Sequence, residues 1–160
     1  MRILVIYYSF EGSTKLIAEK IAQNLNADIL LLQTKAEMIK THGFMKYLWG
    51  GRSVIYKETP ELLPFEKNPA DYDLIFIGSP VWAYTFTPPV RSFFKQKLLQ
   101  NKKVALFCTH EGGRKNTLEN MKKELSGNEI IGEMDFANVK KNPIENVKKA
   151  EEWALNITKN

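Results

Sequence analysis

Ile3-Leu4-Val5-Ile6-Tyr7-Tyr8 runs directly into Ser9-Phe10-Glu11-Gly12-Ser13-Thr14, and the reading of these two stretches decides the fold. The first is a continuous β-branched and aromatic run, as expected of a strand covered on both faces in a parallel sheet. The second carries hydroxyls around a glycine and leads into Leu16, Ile17, Ile21 and Leu25, which recur at helical spacing. Met1-Arg2 followed by apolar residues has the look of a secretory leader, but Ser9 and Gly12 interrupt it too early, so a buried strand is the better reading.

The same alternation continues down the chain. Strands are expected at Asp28–Leu32, Asp73–Gly78 and Val104–Cys108, with a fifth around Glu129–Phe136. Helices are expected from Pro88 behind Thr87, over Thr117–Leu125, and from Asn142-Pro143-Ile144-Glu145, where a cap, a first-turn proline and an acid agree. Strand–helix alternation implies a parallel sheet with helices on both sides. The expected fold is a doubly wound α/β three-layer sandwich on five parallel strands, forming one domain over residues 1–160. The stretch Thr34–Lys67 is less regular, with Phe44–Trp49 a candidate helix before Gly50-Gly51.

Composition narrows the function. The net charge is +5, but the lysines are scattered in pairs among acids, which is not the basic stripe of a nucleic-acid reader. No apolar run reaches the length of a membrane span. A single cysteine, Cys108, rules out an internal disulfide and suits a reducing compartment, so a cytoplasmic location is expected. His42, His110 and Cys108 form no recognised metal-ligand spacing.

In open parallel sheets ligands bind beyond the carboxyl ends of the strands, and three loops there have unusual compositions. Ser9, Phe10, Glu11, Gly12, Ser13 and Thr14 lead into a helix N-terminus, whose amides and dipole suit a phosphate. Glu11 is expected to turn its carboxylate outward and to line the site with backbone alone. The second loop, through Pro80, Val81, Trp82, Ala83 and Tyr84 to Thr87, places aromatics where a flat ring would stack. Phe86 reads as core, Trp82 and Tyr84 as facing the ring. The third, Thr109-His110-Glu111-Gly112-Gly113-Arg114, offers two glycines whose backbone amides suit the edge of a heterocycle. Together the loops read as the phosphate, ring face and ring edge of one nucleotide.

Gly-Ser-Pro-Val-Trp-Ala at Gly78–Ala83, Thr-Pro-Pro at Thr87–Pro89 and Tyr-Leu-Trp-Gly-Gly-Arg at Tyr47–Arg52 resemble the shorter members of the flavodoxin family. The resemblance implies non-covalent FMN. Ser9, Gly12, Ser13 and Thr14 would hold its phosphate, Trp82 or Tyr84 would stack on its ring, and Thr109–Gly113 would edge its pyrimidine. It also implies electron transfer with a redox partner protein or a small-molecule acceptor. Two departures stand out. Many flavodoxins have a glycine near the flavin N5 whose peptide flips during one-electron chemistry, whereas Ala83 resists positive φ. Flavodoxins are also generally acidic, whereas this chain is basic.

Other readings are a reductase of the same fold, passing hydride from a nicotinamide cofactor through FMN to a quinone-type acceptor, with His110 as a charge stabiliser or proton donor. A cysteine phosphatase would use the Cys-x5-Arg spacing of Cys108 and Arg114. A scaffold without flavin would use Trp49 as a partner surface.

Overall fold

The computed structural model describes residues 1–35 and 57–159. Phe44–Trp49, the Tyr47–Arg52 motif and His42 lie outside the described residues. The elements are β1 (Ile3–Tyr7), α1 (Ser13–Leu25), β2 (Asp28–Leu31), β3 (Leu74–Pro80), α2 (Pro88–Lys95), β4 (Lys103–His110), α3 (Thr117–Glu124), β5 (Glu129–Ala137) and α4 (Pro143–Lys159). The strands form one parallel sheet in the order β2-β1-β3-β4-β5. This is the expected doubly wound architecture.

Two cores cover the two faces of the sheet. Val5, Phe76, Ala105 and Phe107 point to one face, where Ile17, Ala18 and Ile21 of α1 meet Ala150, Trp153 and Ala154 of α4. Leu4, Ile6, Ile75, Ile77, Leu106 and Cys108 point to the other, under Val90 and Phe93 of α2 and Leu118 and Met121 of α3. Alternation along each strand feeds both cores, which is why the strands read as unbroken apolar runs. Trp153 lies edge-on to Phe76, Phe107 and Phe136 at centroid distances of 5.4, 6.3 and 6.3 Å. Gly78 is required by packing: a Cβ there would come within 2.1 Å of Phe107 Cζ.

Two strand ends lie further along the chain than the apolar runs suggest. Register pairs Pro80 with Thr109 and His110 with Ala137, so Pro80, Thr109 and His110, which read as loop residues, close the ladders of β3 and β4. Backbone pairing to a neighbouring strand decides where a strand stops, and side-chain character does not report it. At the β2 edge, Thr34 bridges Leu62 in antiparallel fashion, with Lys35 N–H bonded to the Glu61 carbonyl and Leu63 N–H to that of Gln33, at 2.9 and 2.8 Å. Leu62 is thereby brought into the core.

Candidate functional site

The strand order reverses between β1 and β3. A crevice opens at such a switch point because the crossovers on either side leave toward opposite faces. The loops after β1, β3 and β4 meet there.

The loop after β1 is shaped by Gly12. Its φ of 95° is open to glycine and costly for other residues, and the turn swings the chain into α1. Ser9 Oγ accepts the Gly12 N–H at 3.2 Å, while the Gly12 carbonyl takes the Leu16 N–H at 2.9 Å. No side chain caps the helix at this residue. The amides of Ser13, Thr14 and Lys15 therefore head α1 at the positive end of its dipole, an arrangement that complements an anion. A Cβ built on Gly12 meets no atom within 4 Å, and the same holds for Gly112 in the loop after β4. Both backbones thus face open space, leaving room for a ligand to approach them closely.

The loop after β3 is a two-residue hairpin. Trp82 N–H bonds the Thr85 carbonyl at 2.9 Å and Thr85 N–H returns to the Trp82 carbonyl at 3.0 Å. The central residues Ala83 and Tyr84 have φ of 44° and 69°, as a type I′ turn requires. Neither is a residue that favours this conformation, so the turn is strained and the surroundings must hold it. Val81 N–H is bonded to the Thr109 carbonyl at 2.9 Å, and Asn120 Nδ2 donates to Thr85 Oγ1 at 2.9 Å. The Trp82 ring stands edge-on to Tyr8 and Phe10, with centroids 5.9 and 5.7 Å away. Trp82 thus joins the first two loops. Burial pushes the Tyr8 phenol up to about 12, so it stays protonated beside that ring.

The loop after β4 is held by an imidazole. His110 Nδ1 accepts the Gly113 N–H at 3.0 Å, so that nitrogen carries no proton, and Nε2–H points at Asp135 Oδ2, 2.9 Å away. Gly113 takes a φ of 103°. Burial of Asp135 works against its charge, yet the hydrogen bond from His110 and the nearby Lys149 hold its carboxyl below the usual carboxylate range.

A family profile described as flavodoxin matches residues 2–150. The chain belongs to the flavodoxin family. Solved structures with the same fold include a flavoprotein from Lactobacillus acidophilus in complex with FMN, with a TM-score of 0.75 and 22% identity over 96% of this chain and 98% of that one. The two-electron reduced flavodoxin of Megasphaera elsdenii has a TM-score of 0.59 and 20% identity, covering 95% and 97%. Oxidised flavodoxin 2 from Bacillus cereus has a TM-score of 0.58 and 20% identity, covering 99% of each chain. No curated protein matches this chain in sequence.

In this flavodoxin-family chain the hydroxyls are placed differently from the sequence reading. Of the three expected to hold phosphate, Ser9's shapes the loop and Thr14's is buried, bonded to Thr109 Oγ1 at 2.8 Å. Thr14 and Thr109 are 1% and 3% exposed, so these hydroxyls tie α1 to β4. What loop one presents is chiefly backbone. Glu11 does turn outward, its carboxylate 3.3 Å from Lys140 Nζ. Phe86 is core, with the Arg91 guanidinium 4.9 Å from its ring centroid. Tyr84 projects from the hairpin tip at 71% exposure, and Lys115 Nζ lies 5.6 Å from its ring centroid. Ala83 already has the positive φ that alanine was expected to resist, because the paired hydrogen bonds of Trp82 and Thr85 impose it.

Three expectations require correction. The Gly113 amide is bonded to His110 and is not on offer to a ring edge. His110 is occupied at both nitrogens, so it is not poised as a free proton donor. Cys108 is wholly buried in β4 and its thiol is pushed up to about 12 by burial, with Asp135 adding to the effect. A thiol so far from ionising is no nucleophile, and Arg114 is paired with Glu119 at 3.4 Å. The Cys-x5-Arg spacing therefore marks a strand and a surface ion pair, not a phosphatase loop.

Asp135, Tyr8 and Lys115 were not among the sequence candidates. Asp135 lies in the fifth strand opposite Cys108, and only the β4–β5 pairing brings it near the site. Among the described residues no helix is long and apolar enough to cross a membrane, and no cluster of metal-ligating side chains occurs.

Proposed function

We propose that this chain binds FMN at the β1/β3 switch point and serves as a redox protein, exchanging electrons with a partner protein or a small-molecule acceptor in the cytoplasm. The observation that carries the reading is the α1 N-terminus, without a side-chain cap behind a left-handed Gly12 and open to space. Amides of Ser13, Thr14 and Lys15 would hold the phosphate, with the Ser13 hydroxyl beside them. Trp82, braced by Tyr8 and Phe10, and exposed Tyr84 would flank the ring, while Thr109–Gly113 would form the remaining wall. Bound FMN supplies one- and two-electron redox chemistry, and the chain's part is to orient it, exclude water from one side and tune its charge. The flavodoxin membership, and the FMN bound by the similar flavoprotein from Lactobacillus acidophilus, support the same ligand.

Purified protein should be yellow and release FMN on denaturation. Colourless protein that takes up no FMN at micromolar concentration defeats the reading. A nicotinamide-dependent reductase is the second reading, favoured by the net charge of +5, which departs from an acidic carrier. Potentiometric titration separates the two. Two resolved one-electron potentials support the carrier, while a single two-electron potential with turnover of a nicotinamide donor supports the reductase.

A further inference from the structure

His110 is half-buried at the carboxyl edge of β4, its side chain 9% exposed, and each ring nitrogen has a distinct partner. Nε2–H donates toward Asp135 Oδ2, and Nδ1 accepts from the Gly113 N–H. Cys108 and Asp135 are register partners, and His110 lies two residues beyond Cys108, so the imidazole and the carboxylate project from the same face of the sheet. The pair is therefore built by strand register, and its other end grips the loop that walls the crevice.

We propose that Asp135 and His110 form a pH-responsive positioning pair, which holds the loop after β4 in its binding shape while the imidazole is neutral and releases it when Nδ1 takes a proton. The physical reason is a conflict of donors. A protonated Nδ1 points a hydrogen at the Gly113 N–H, and the 3.0 Å contact cannot persist as a hydrogen bond. Gly112 and Gly113 give the backbone freedom to move away, since neither carries a Cβ and Gly113 already sits at a φ of 103°. Nothing lies within 4 Å of where a Gly112 Cβ would be, so this part of the loop has room.

The charged groups around the pair come from four elements. Asp135 on β5 favours the imidazolium directly. Lys149 of α4 donates to the Asp135 carbonyl at 2.8 Å and opposes it. Arg114 of the same loop and Glu119 of α3 form an ion pair at 3.4 Å, presenting one charge of each sign. Asp135 is the group in hydrogen-bond contact with the ring, so it dominates the local balance.

The loop release stands on the hydrogen bonds alone, whereas its effect on a ligand rests on the FMN reading above. Two measurements keep them apart. In ligand-free, full-length protein, nitrogen–proton NMR would follow the His110 ring nitrogens and the Gly113 amide through a pH titration. The expected result is one shared midpoint, with Nδ1 changing from acceptor to protonated nitrogen as the Gly113 amide shift moves. A Gly113 amide that stays still while the ring titrates overturns the proposal.

The second measurement is FMN affinity from flavin fluorescence between pH 7.5 and 5.5. Wild-type affinity is expected to fall about three- to tenfold on acidification, the equivalent of one lost hydrogen bond. In His110→Asn, the side-chain amide oxygen replaces Nδ1 as acceptor without titrating, so the acid dependence should shrink to the part set by the FMN phosphate's own ionisation, at about pH 6, which riboflavin measured alongside lacks. In His110→Gln, the side chain reaches toward Asp135 but leaves the Gly113 N–H without its acceptor, so affinity should be lower throughout, with only that same phosphate dependence. Asp135→Asn removes the anion that favours the imidazolium and should move the midpoint to lower pH. Identical pH profiles for wild type and His110→Asn overturn the proposal. Protein that binds no FMN at any pH defeats the site reading and the ligand half of this inference, while the NMR titration still decides the loop.

Discussion

The loops after β1 and β4 share one design and differ in a single chemical choice. Each ends on a left-handed glycine, Gly12 at 95° and Gly113 at 103°, and each glycine donates its N–H to a side chain three residues earlier. In the first loop the acceptor is the Ser9 hydroxyl, which does not titrate. In the third it is His110, an imidazole backed by Asp135. The first loop also enters its helix at once, with Gly12 heading α1, whereas Arg114, Lys115 and Asn116 separate Gly113 from α3. The same backbone turn thus presents helix amides in one place and a wall of adjustable shape in the other. A glycine with an upstream acceptor fixes geometry; the acceptor's acid–base chemistry decides whether that geometry is permanent.

The tie between the two loops gives the largest expected effect. Thr14→Val strands the Thr109 hydroxyl in a buried site and should cost about 1–3 kcal/mol in denaturant unfolding, as should Thr109→Val. The double variant should cost less than the sum, because it removes both partners. Additive losses would mean that the 2.8 Å contact does not couple α1 to β4.

Next come the glycines themselves. Gly12→Val and Gly113→Val each place a β-branched residue at positive φ, a cost of about 1–2 kcal/mol. Only Gly12→Val should weaken FMN more than riboflavin, since riboflavin has no phosphate for the α1 amides. Equal losses for the two ligands in that variant would break the contrast between the loops. The hairpin between them supplies a smaller effect of opposite sign. Ala83→Gly relieves strain at φ 44° and should stabilise the protein by about 0.5–1 kcal/mol in thermal unfolding.

The smallest effect is a control at the far edge of the sheet. The hydrogen bond from Tyr72 holds the Asp28 carboxyl below its usual range, against an opposing effect of desolvation and with help from Lys67. A lowered folded pKa stabilises above the unfolded value, and the gain is lost as pH falls through the folded one. Tyr72→Phe should therefore raise the Asp28 pKa, read by carboxyl NMR, and reduce the acid-side loss of stability. FMN affinity should not change.

Much of this site is legible in the residues, but for uneven reasons. Gly12 before a helical period, and aromatics in a loop after an apolar strand, are local signals that need no knowledge of neighbours. Thr14 misleads because a hydroxyl in a loop motif looks available, and only its burial against Thr109 reveals the partner. His110 and Cys108 mislead similarly. Each has plausible chemistry in isolation, and the β4–β5 register and the core remove it. Asp135 carries no signal at all, being one acid in an edge strand.

The sequence by itself determined the strand–helix alternation, the parallel three-layer sandwich, and the helix start behind Gly12. These depend on periodicity and on backbone preferences, which are properties of neighbours along the chain. The tertiary structure decided which hydroxyls are spent on packing, why Ala83 holds a positive φ, and that Asp135 grips His110. Those outcomes depend on contacts between segments far apart in sequence. Strand pairing and burial set them, and no local pattern encodes which neighbour a side chain will meet.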